Sequence, residues 1–269
     1  MANVFITGST AGLGLMAAQL LIDSGHRVVL HARDHERAEA ARASAPGCKG
    51  VLIGDLSHLR GMHQIAEQAN RLGPFDAVIH NAGIGYREPR RIETEDGLSH
   101  VFATNVLAPY VLTALMHKPK RLIYISSAIH DSAEVVLDDL CWTRRPWNGR
   151  QAYAESKLYD LLLAFGFARL WPDVYSNAVE PGWIATRMGG PEATDDLSQA
   201  HLTQAWLAVS DEPLALSSGE YFYHKALRPP LPLTREQRHQ NALLEACARL
   251  SGVEVPRAEV TPPGARSSS

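Results

Sequence analysis

Thr7-Gly8-Ser9-Thr10-Ala11-Gly12-Leu13-Gly14 is the stretch that decides the fold of this chain. It ends a short apolar run, Asn3–Thr7, that indicates a buried strand, and it begins a segment of helical period near Gly12–Ser24. At such a turn, backbone N–H groups and the helix N-terminus can bind a pyrophosphate, and the glycines leave room for the phosphates. A glycine-rich turn can also be only a tight loop. Its position after the first strand of a βαβ unit favours dinucleotide binding.

Short apolar runs alternate with longer segments of helical period along the chain, which is typical of a parallel sheet flanked by helices. The predicted strands are Asn3–Thr7, Arg27–Ala32, Gly50–Gly54, Ala77–His80, Arg121–Ser126, Val174–Val179 and Glu220–Tyr223. The predicted helices lie near Gly12–Ser24, Asp34–Ala43, Leu59–Leu72, Asp96–Leu115, Arg150–Leu170, Leu197–Val209 and Thr234–Leu250. We therefore predict an α/β fold with a doubly wound, seven-stranded parallel sheet and helices on both faces. Residues 1–251 should form a single domain, and the Pro-, Gly- and Ser-rich residues 252–269 a flexible tail.

The composition is that of a soluble globular protein. The chain has 269 residues, of which 45% are hydrophobic and 20% charged. A net charge of -3 gives no footprint for nucleic acid or a membrane surface. The three cysteines are far apart, which argues against a zinc site or a disulfide framework. An early strand leaves no room for a signal peptide, and no apolar stretch is long enough to span a bilayer, so we expect a cytoplasmic protein.

The residue after the second predicted strand indicates which dinucleotide binds. An acid at this place would accept hydrogen bonds from a ribose 2′-hydroxyl, whereas an arginine would bind a 2′-phosphate. The strand ends at Ala32 and Arg33 follows, with Arg37 as a second candidate. We therefore predict that NADP is preferred over NAD. The alternative is that Arg33 only lies on a solvated helix start next to Asp34.

Further polar and small residues follow the third and fourth strands. Asp55 and Leu56 end the third, where the carboxylate could reach an adenine edge or could instead cap the next helix. Asn81, Ala82 and Gly83 end the fourth with a turn that lets a cofactor pass close to the backbone. Such turns are common, so Asn81, Ala82 and Gly83 indicate cofactor binding only because they follow a strand in the same sheet as the glycine turn.

Tyr153 and Lys157 are candidates for proton transfer. Four residues make about one helical turn, so both side chains lie on one face. A nearby ammonium favours the phenolate and should lower the pKa of the tyrosine from about 10. Ser126 and Ser127 close the fifth strand, where a hydroxyl could orient a carbonyl or cap the turn. Asn105 precedes Pro109 in an apolar helix, where it could leave carbonyls free to hold water or could only satisfy a kink.

Taken in order, these motifs resemble the short-chain dehydrogenase/reductase family of NAD(P)-dependent oxidoreductases. The resemblance rests on Thr7-Gly8, Gly12-Leu13-Gly14, Asp55, Asn81-Ala82-Gly83, Asn105, Ser126-Ser127, Tyr153, Lys157, Pro181-Gly182 and Thr186, and it covers residue 2 to about residue 225. Asp96-Gly97-Leu98 and Ser218-Gly219-Glu220-Tyr221-Phe222 are most similar to the retinol-dehydrogenase-like branch. The resemblance implies a three-layer Rossmann fold.

The resemblance also implies roles for the matching residues. Tyr153 would be the general acid in carbonyl reduction and the base in alcohol oxidation, with Lys157 lowering its pKa and binding the nicotinamide ribose. Ser127 would hold the substrate oxygen, and Asn105 would support a water relay to Lys157. Residues along the glycine turn and the following strand ends would bind the cofactor: Thr7, Gly8, Ser9, Thr10, Gly12, Leu13, Gly14, Arg33, Asp55, Leu56, Asn81, Ala82, Gly83, Pro181, Gly182, Ile184 and Thr186. Ile184 and Thr186 would meet the nicotinamide carboxamide.

We therefore expect hydride transfer between NADP(H) and a carbonyl or alcohol of a small, moderately apolar substrate. The alternative is a dinucleotide-binding sensor or scaffold with vestigial catalytic residues, which the intact Ser127, Tyr153 and Lys157 argue against. A sugar-nucleotide epimerase is disfavoured by the glycine spacing and by the lack of a sizeable C-terminal substrate domain. In this family, the helices around Asn105 and Tyr153 commonly pair between subunits, so the resemblance implies a homodimer or homotetramer.

Some features depart from the family pattern or fall outside it. Glu180 and Trp183 flank Pro181-Gly182 and could alter nicotinamide packing or the shape of the pocket. Residues 128–149 indicate a long ordered loop beside the site, and residues 186–195 a mobile loop. We interpret the single histidines at strand ends, such as His31 and His80, as structural.

Overall fold

The computed structural model describes residues 1–256, so most of the predicted tail lies outside the described residues. One eight-stranded sheet runs through this part of the chain in the order β3-β2-β1-β4-β5-β6-β7-β8. Its strands are β1 Asn3–Ile6, β2 Arg27–Ala32, β3 Gly50–Ile53, β4 Ala77–His80, β5 Arg121–Ile125, β6 Tyr175–Glu180, β7 Tyr221–Tyr223 and β8 Ala226–Leu227. Strands β1 to β7 are parallel, and only β8 pairs antiparallel. The predicted doubly wound topology is confirmed.

Helices cover both faces of the sheet. They are α1 Gly12–Asp23, α2 His35–Ser44, α3 Leu59–Leu72, α4 His100–Phe102, α5 Ala108–Leu115, α6 Gly149–Leu170, α7 Leu202–Val209 and α8 Gln237–Ser251. Side chains alternate along each strand, so Phe5 packs in one core and Val4 and Ile6 in the other. None of the helices within residues 1–256 is long and apolar enough to cross a membrane.

The eighth strand is a difference from the predicted seven. Its two residues carry too little pattern to be recognised as a strand. His224 and Lys225, both with positive φ, turn the chain back from β7 into β8. Pro229 and Pro230 follow it after one residue, Arg228.

Two predicted helices begin later than expected. The helix expected from Asp96 starts at His100, because Gly97 adopts a φ of +75° and the Ser99 hydroxyl caps the new start. The helix expected from Leu197 starts at Leu202, since residues 197–201 make i to i+3 turns instead of helical hydrogen bonds. The other bounds agree with the prediction to within three residues.

A π-helical turn, Ala103–Leu107, joins α4 to α5. Pro109 has no N–H to donate to the Asn105 carbonyl four residues earlier. The Ala108 N–H instead donates to the Ala103 carbonyl, five residues back. The chain widens around Asn105, as the proline in the sequence suggested.

Candidate active site

The carboxyl ends of the parallel strands open on one cavity of about 1130 Å³. Such crevices are where open α/β folds bind ligands. Most of the predicted site residues line it: Gly8, Thr10, Gly12, Leu13, Arg33, Asp55, Leu56, Asn81, Ala82, Gly83, Ser127, Tyr153, Lys157, Pro181, Gly182, Ile184 and Thr186. Thr7, Ser9, Gly14 and Asn105 lie behind its wall. The predicted site residues are therefore of two kinds: those that line the cavity, and those that lie behind the lining and support it.

The glycine turn packs directly against the turn after β4. Gly8 has a φ of +61°, and a Cβ there would lie 2.7 Å from the Ala82 Cα. A Cβ on Gly14 would lie 2.4 Å from Asn81 Nδ2. The Thr7 hydroxyl oxygen accepts from the N–H groups of Asn81 and Ala82, at 2.9 and 3.0 Å. Thr7 and Gly14 thus join the two turns instead of facing the cavity.

His31, which the sequence analysis interprets as structural, fixes the glycine turn from the other side. The Gly8 N–H donates to Nδ1 at 2.9 Å, so Nε2 carries the proton and donates to the Gly54 carbonyl at 2.8 Å. Burial lowers the pKa of His31, which keeps the ring neutral. The Ser9 hydroxyl donates to the Ile6 carbonyl and accepts from the His31 N–H. Ser9 is therefore also part of this framework.

The N-terminus of α1 is open to the cavity. Its N-cap residue, Ala11, has no side chain that can cap, and the first turn has no acidic residue. Ala11, Gly12 and Leu13 all line the cavity. Uncapped N–H groups beside a glycine turn are the donor set that a pyrophosphate needs, so the residues present fit a dinucleotide.

The far end of the cavity carries two guanidinium groups. Arg33 and Arg37 both line it, and their side chains approach one carboxylate, Asp34, at 3.3 and 3.5 Å. Asp34 also caps α2 by accepting from the Arg37 N–H. Asp34 therefore offsets one of these two positive charges. Asp55 lines the same region and supplies a second carboxylate, which accepts from the Ser57 N–H at 2.8 Å. The expected alternative role as the cap of α3 is wrong, because His58 caps this helix by accepting from the Gly61 N–H.

Tyr153 and Lys157 lie together on α6, as their spacing predicts. Tyr153 is 8% exposed and Lys157 5% exposed, with Nζ 5.6 Å from the centre of the phenol ring. Nζ donates to the Ile125 carbonyl and to Asp160 Oδ2, both at 2.8 Å. The Ser126 hydroxyl donates to the Lys157 carbonyl, whereas Ser127 lines the cavity and its hydroxyl oxygen caps the following turn by accepting from the Ile129 N–H. The chain thus gathers a phenol, an ammonium and a hydroxyl at one wall.

The electrostatics at Tyr153 differ from the simple expectation of a lowered pKa. Burial raises the pKa of the phenol, and the Lys157 ammonium and the Ser127 hydroxyl only oppose that effect. The buried Asp160 carboxylate adds to the increase. Burial alone would lower the pKa of Lys157, but Asp160 outweighs it, and the pKa lies above its usual value. The ammonium is therefore shared between two neighbours.

Asn105 joins α6 to the turn after β4 and is 1% exposed. Its Oδ1 accepts from the Ile84 N–H at 2.7 Å, and Nδ2 donates to the Ile84 carbonyl and to Ser156 Oγ. A Cβ on Gly83 would lie 3.6 Å from Asn105 Oδ1 and 3.8 Å from Lys157 Nζ. Gly83 therefore lies between the amide and the ammonium, and Asn105 positions the cavity wall from behind.

A family profile described as short chain dehydrogenase matches residues 2–197. The chain belongs to this family. An uncharacterized oxidoreductase of Emericella nidulans is 42% identical over 260 residues, covering 95% of this chain and 99% of that protein. Human retinol dehydrogenase 13 is 29% identical over 298 residues, covering 97% and 87%. The crystal structure of an uncharacterized protein from Mycobacterium paratuberculosis has a TM-score of 0.81 at 25% identity and covers 95% of each chain.

The predicted family and fold are therefore confirmed. As a short-chain dehydrogenase, the protein is an NAD(P)-dependent oxidoreductase acting on CH–OH groups. Retinol dehydrogenases are among its relatives, at lower identity than the fungal oxidoreductase.

At the other end of the cavity of this dehydrogenase, Pro181, Gly182, Ile184 and Thr186 follow β6. Glu180, which departs from the family pattern, is buried and pairs with Arg228, so it leaves no uncompensated charge. Trp183 is 48% exposed and lines the cavity.

Sequence reasoning missed three residues that lie against Tyr153 or Lys157. Met188 Sδ lies 3.7 Å from the Tyr153 hydroxyl, and the Tyr86 ring lies 5.8 Å from the Tyr153 ring, centre to centre. Asp160 pairs with Lys157. Only Asp160 left a local signal, an acid three residues after Lys157 on the same helix. Met188 and Tyr86 lie on loops, where spacing carries no such information.

Proposed function

We propose that this dehydrogenase transfers a hydride between NADP(H) and a carbonyl or alcohol group of a small, moderately apolar substrate, with Tyr153 as the general acid or base. The observation that carries the proposal is the meeting of Ser127, Tyr153 and Lys157 at one wall of a cavity that extends to the glycine turn. The same wall carries Ile129, Ile184 and other apolar side chains, which suit an apolar substrate.

The chain has groups for each part of the cofactor. The uncapped N–H groups at the start of α1 would hold the pyrophosphate, and Arg33 with Arg37 would bind a 2′-phosphate. The segment from Pro181 to Thr186 would hold the nicotinamide. When bound there, the cofactor supplies or accepts the hydride.

The protein's own residues would handle the proton. In reduction, the Ser127 hydroxyl donates a hydrogen bond to the carbonyl oxygen and orients it. The Tyr153 hydroxyl transfers its proton to that oxygen as the carbonyl carbon gains the hydride. The Lys157 ammonium then stabilises the phenolate until it regains a proton. Oxidation runs through the same groups in reverse, with Tyr153 as the base.

A cofactor-consumption screen tests the proposal. Ketones, aldehydes and alcohols are each offered with NADP(H) and with NAD(H), and the best substrate is then used with Tyr153→Phe. Loss of the phenol proton should lower kcat by about 100-fold or more. Tyr175→Phe, at a half-exposed tyrosine on β6, is the matched control and should keep full activity. A Tyr153→Phe variant with wild-type turnover would contradict the proposal, whereas cofactor binding without any turnover would favour the sensor or scaffold alternative.

We propose one domain over residues 1–251, a cytoplasmic location and a homodimer or homotetramer. Light scattering of the purified protein after size-exclusion chromatography tests the oligomeric state, and a monomer would contradict it. Fractionation of the source cells tests the location.

A further inference from the structure

A second group of polar side chains lines the cavity near Tyr153. Thr104 is 8% exposed, and within residues 1–256 its Oγ1 has no hydrogen-bond partner. His100 lies one helical turn before it, so both side chains are on one face. Arg150 begins the opposite wall on α6. All three line the cavity, and the proton chemistry at Ser127 and Tyr153 uses none of them.

His100 is held in place by a carboxylate. Its Nδ1 lies 2.7 Å from Glu88 Oε1, and the Glu88 side chain is only 11% exposed. The Glu88 carbonyl in turn accepts from the Trp147 indole N–H at 2.9 Å. This arrangement fixes the imidazole and leaves Nε2 as the ring nitrogen for another partner. The buried, unpartnered Thr104 hydroxyl can donate to a ligand oxygen, and Nε2 of His100 can donate to the same oxygen when both ring nitrogens carry a proton, with the Nδ1 proton bound to Glu88.

Arg150 adds an uncompensated positive charge. Its side chain is exposed, and within the described part of the chain no carboxylate lies within ion-pair distance of it. It precedes Tyr153 by three residues on α6, so the two Cβ atoms are about 5–6 Å apart on one helix face. A guanidinium is a planar fork that matches a carboxylate and stays charged at all working pH values. The Glu88 carboxylate is paired with His100, so of these side chains Arg150 is the cation left for a ligand, and it matches a single negative charge.

We propose that His100, Thr104 and Arg150 form a subsite for a carboxylate on the substrate, about one helical turn from the carbonyl that Tyr153 serves. The preferred substrates are then oxo acids, or the corresponding hydroxy acids, with an apolar body between the two polar groups. Met188, Ile129 and Tyr86 line the cavity and supply apolar contacts for that body. The inference rests on the proposed function, because it locates the carboxylate relative to the reacting carbonyl.

Paired probes test the subsite. Binding of 4-acetylbenzoate and of its methyl ester to the enzyme–NADPH complex is measured by calorimetry, and turnover of each by NADPH consumption. The acid should bind about tenfold more tightly than the ester. Arg150→Gln should remove this difference by weakening the acid alone, with the change in KM and not in kcat. Thr104→Val should reduce the difference by a smaller factor.

The control is Arg90→Gln, at an exposed arginine that does not line the cavity, and it should keep the preference for the acid. Equal binding of acid and ester, or an equal loss of both in Arg150→Gln, would overturn the subsite. The two proposals fail separately. Selective binding of the acid without turnover of any carbonyl in the screen contradicts the proposed function alone, and turnover without selectivity contradicts the subsite alone.

Discussion

Replacing Asp160 by asparagine tests how the buried ion pair sets the working pH of Tyr153. Asp160 Oδ2 lies 2.8 Å from Lys157 Nζ, which lies 5.6 Å from the centre of the Tyr153 ring. These distances put the carboxylate at most about 8.4 Å from the centre of the ring, over which the phenolate charge is partly spread. At that distance and an effective dielectric constant of about 20, the carboxylate disfavours the phenolate by about 2 kcal/mol, or about 1.5 pKa units. Asparagine keeps the shape and removes the charge. The pKa of Tyr153 should therefore fall by about this amount.

The assay is the pH dependence of kcat/KM for oxidation of the best alcohol from the screen. Oxidation needs the phenolate, so its rate rises with pH up to the pKa of the free enzyme's base. In Asp160→Asn, the midpoint of this rise should move to lower pH by about 1.5 units. Burial raises the pKa of Asp160 to about 6, against the opposing charge of Lys157. Below that pH the wild-type carboxyl is neutral, so the two profiles should converge there.

Other ionisable groups lie near Tyr153 and Asp160, so the pH profile needs a control variant. The Tyr124 hydroxyl on β5 lies near Asp160 and binds Thr113, which in turn binds His80 on β4. Burial raises the pKa of Tyr124 far above its usual value and lowers that of His80 to about 3, so neither titrates in the window. Glu155→Gln removes another buried carboxylate of α6 and should leave the midpoint where it is. A well-folded Asp160→Asn enzyme with an unmoved or raised midpoint would refute the reasoning.

Stability should respond to Asp160 as well. The folded-state pKa of about 6 lies above the usual 3.8, so the folded chain holds the proton more tightly than the unfolded one. The stabilising contribution is therefore complete below pH 3.8 and is lost as the pH rises through about 6. Thermal unfolding of the wild type should show this loss between the two values, and Asp160→Asn should not.

Three more variants test other parts of the structure. Arg33→Ala should weaken NADPH binding about tenfold and leave NADH binding unchanged in fluorescence titrations, with Arg42→Ala as the control; equal effects on both cofactors would overturn the predicted NADP preference. Arg145→Met should lower the free energy of unfolding in urea by about 3 kcal/mol, because Glu155, which is 2% exposed, loses its bidentate partner. Adding Glu155→Gln should recover part of this loss. An unchanged free energy of unfolding in Arg145→Met would show that the ion pair does not stabilise the fold. Met188→Ala should raise kcat/KM for bulky ketones about tenfold relative to small ones, because the sulfur lies where a substrate oxygen must approach Tyr153, and an unchanged ratio would contradict this.

Local spacing was enough to predict much of this site. The eight residues of the glycine turn are enough to recognise it, and one helical turn is enough to place Tyr153 and Lys157 on the same face. The conformations they require follow from steric rules and helical period, which act over the same short range. The alternation of apolar and helical segments likewise predicted the individual strands and helices and a doubly wound parallel sheet.

The remainder depends on contacts between residues distant in sequence. The proline near Asn105 predicted an irregular helix, but the partners of the amide, Ile84 and Ser156, lie 21 and 51 residues away. The lowered pKa predicted for Tyr153 considered only Lys157, whereas burial and Asp160 act in the opposite direction. The chain alone reveals neither the depth of burial nor which loop carries Met188 over the phenol.

The short strand β8 also limits how strands of other molecules can pair with this edge of the sheet. An edge strand usually presents a row of free N–H and C=O groups that can pair with a strand of another molecule, the first step in many forms of aggregation. Here the edge is two residues long, and Pro229 and Pro230 follow without backbone donors. A second chain cannot extend a ladder along this edge. Subunits that meet on this side must associate through side chains, so their contact can be weakened by single substitutions without exposing a template for fibre growth.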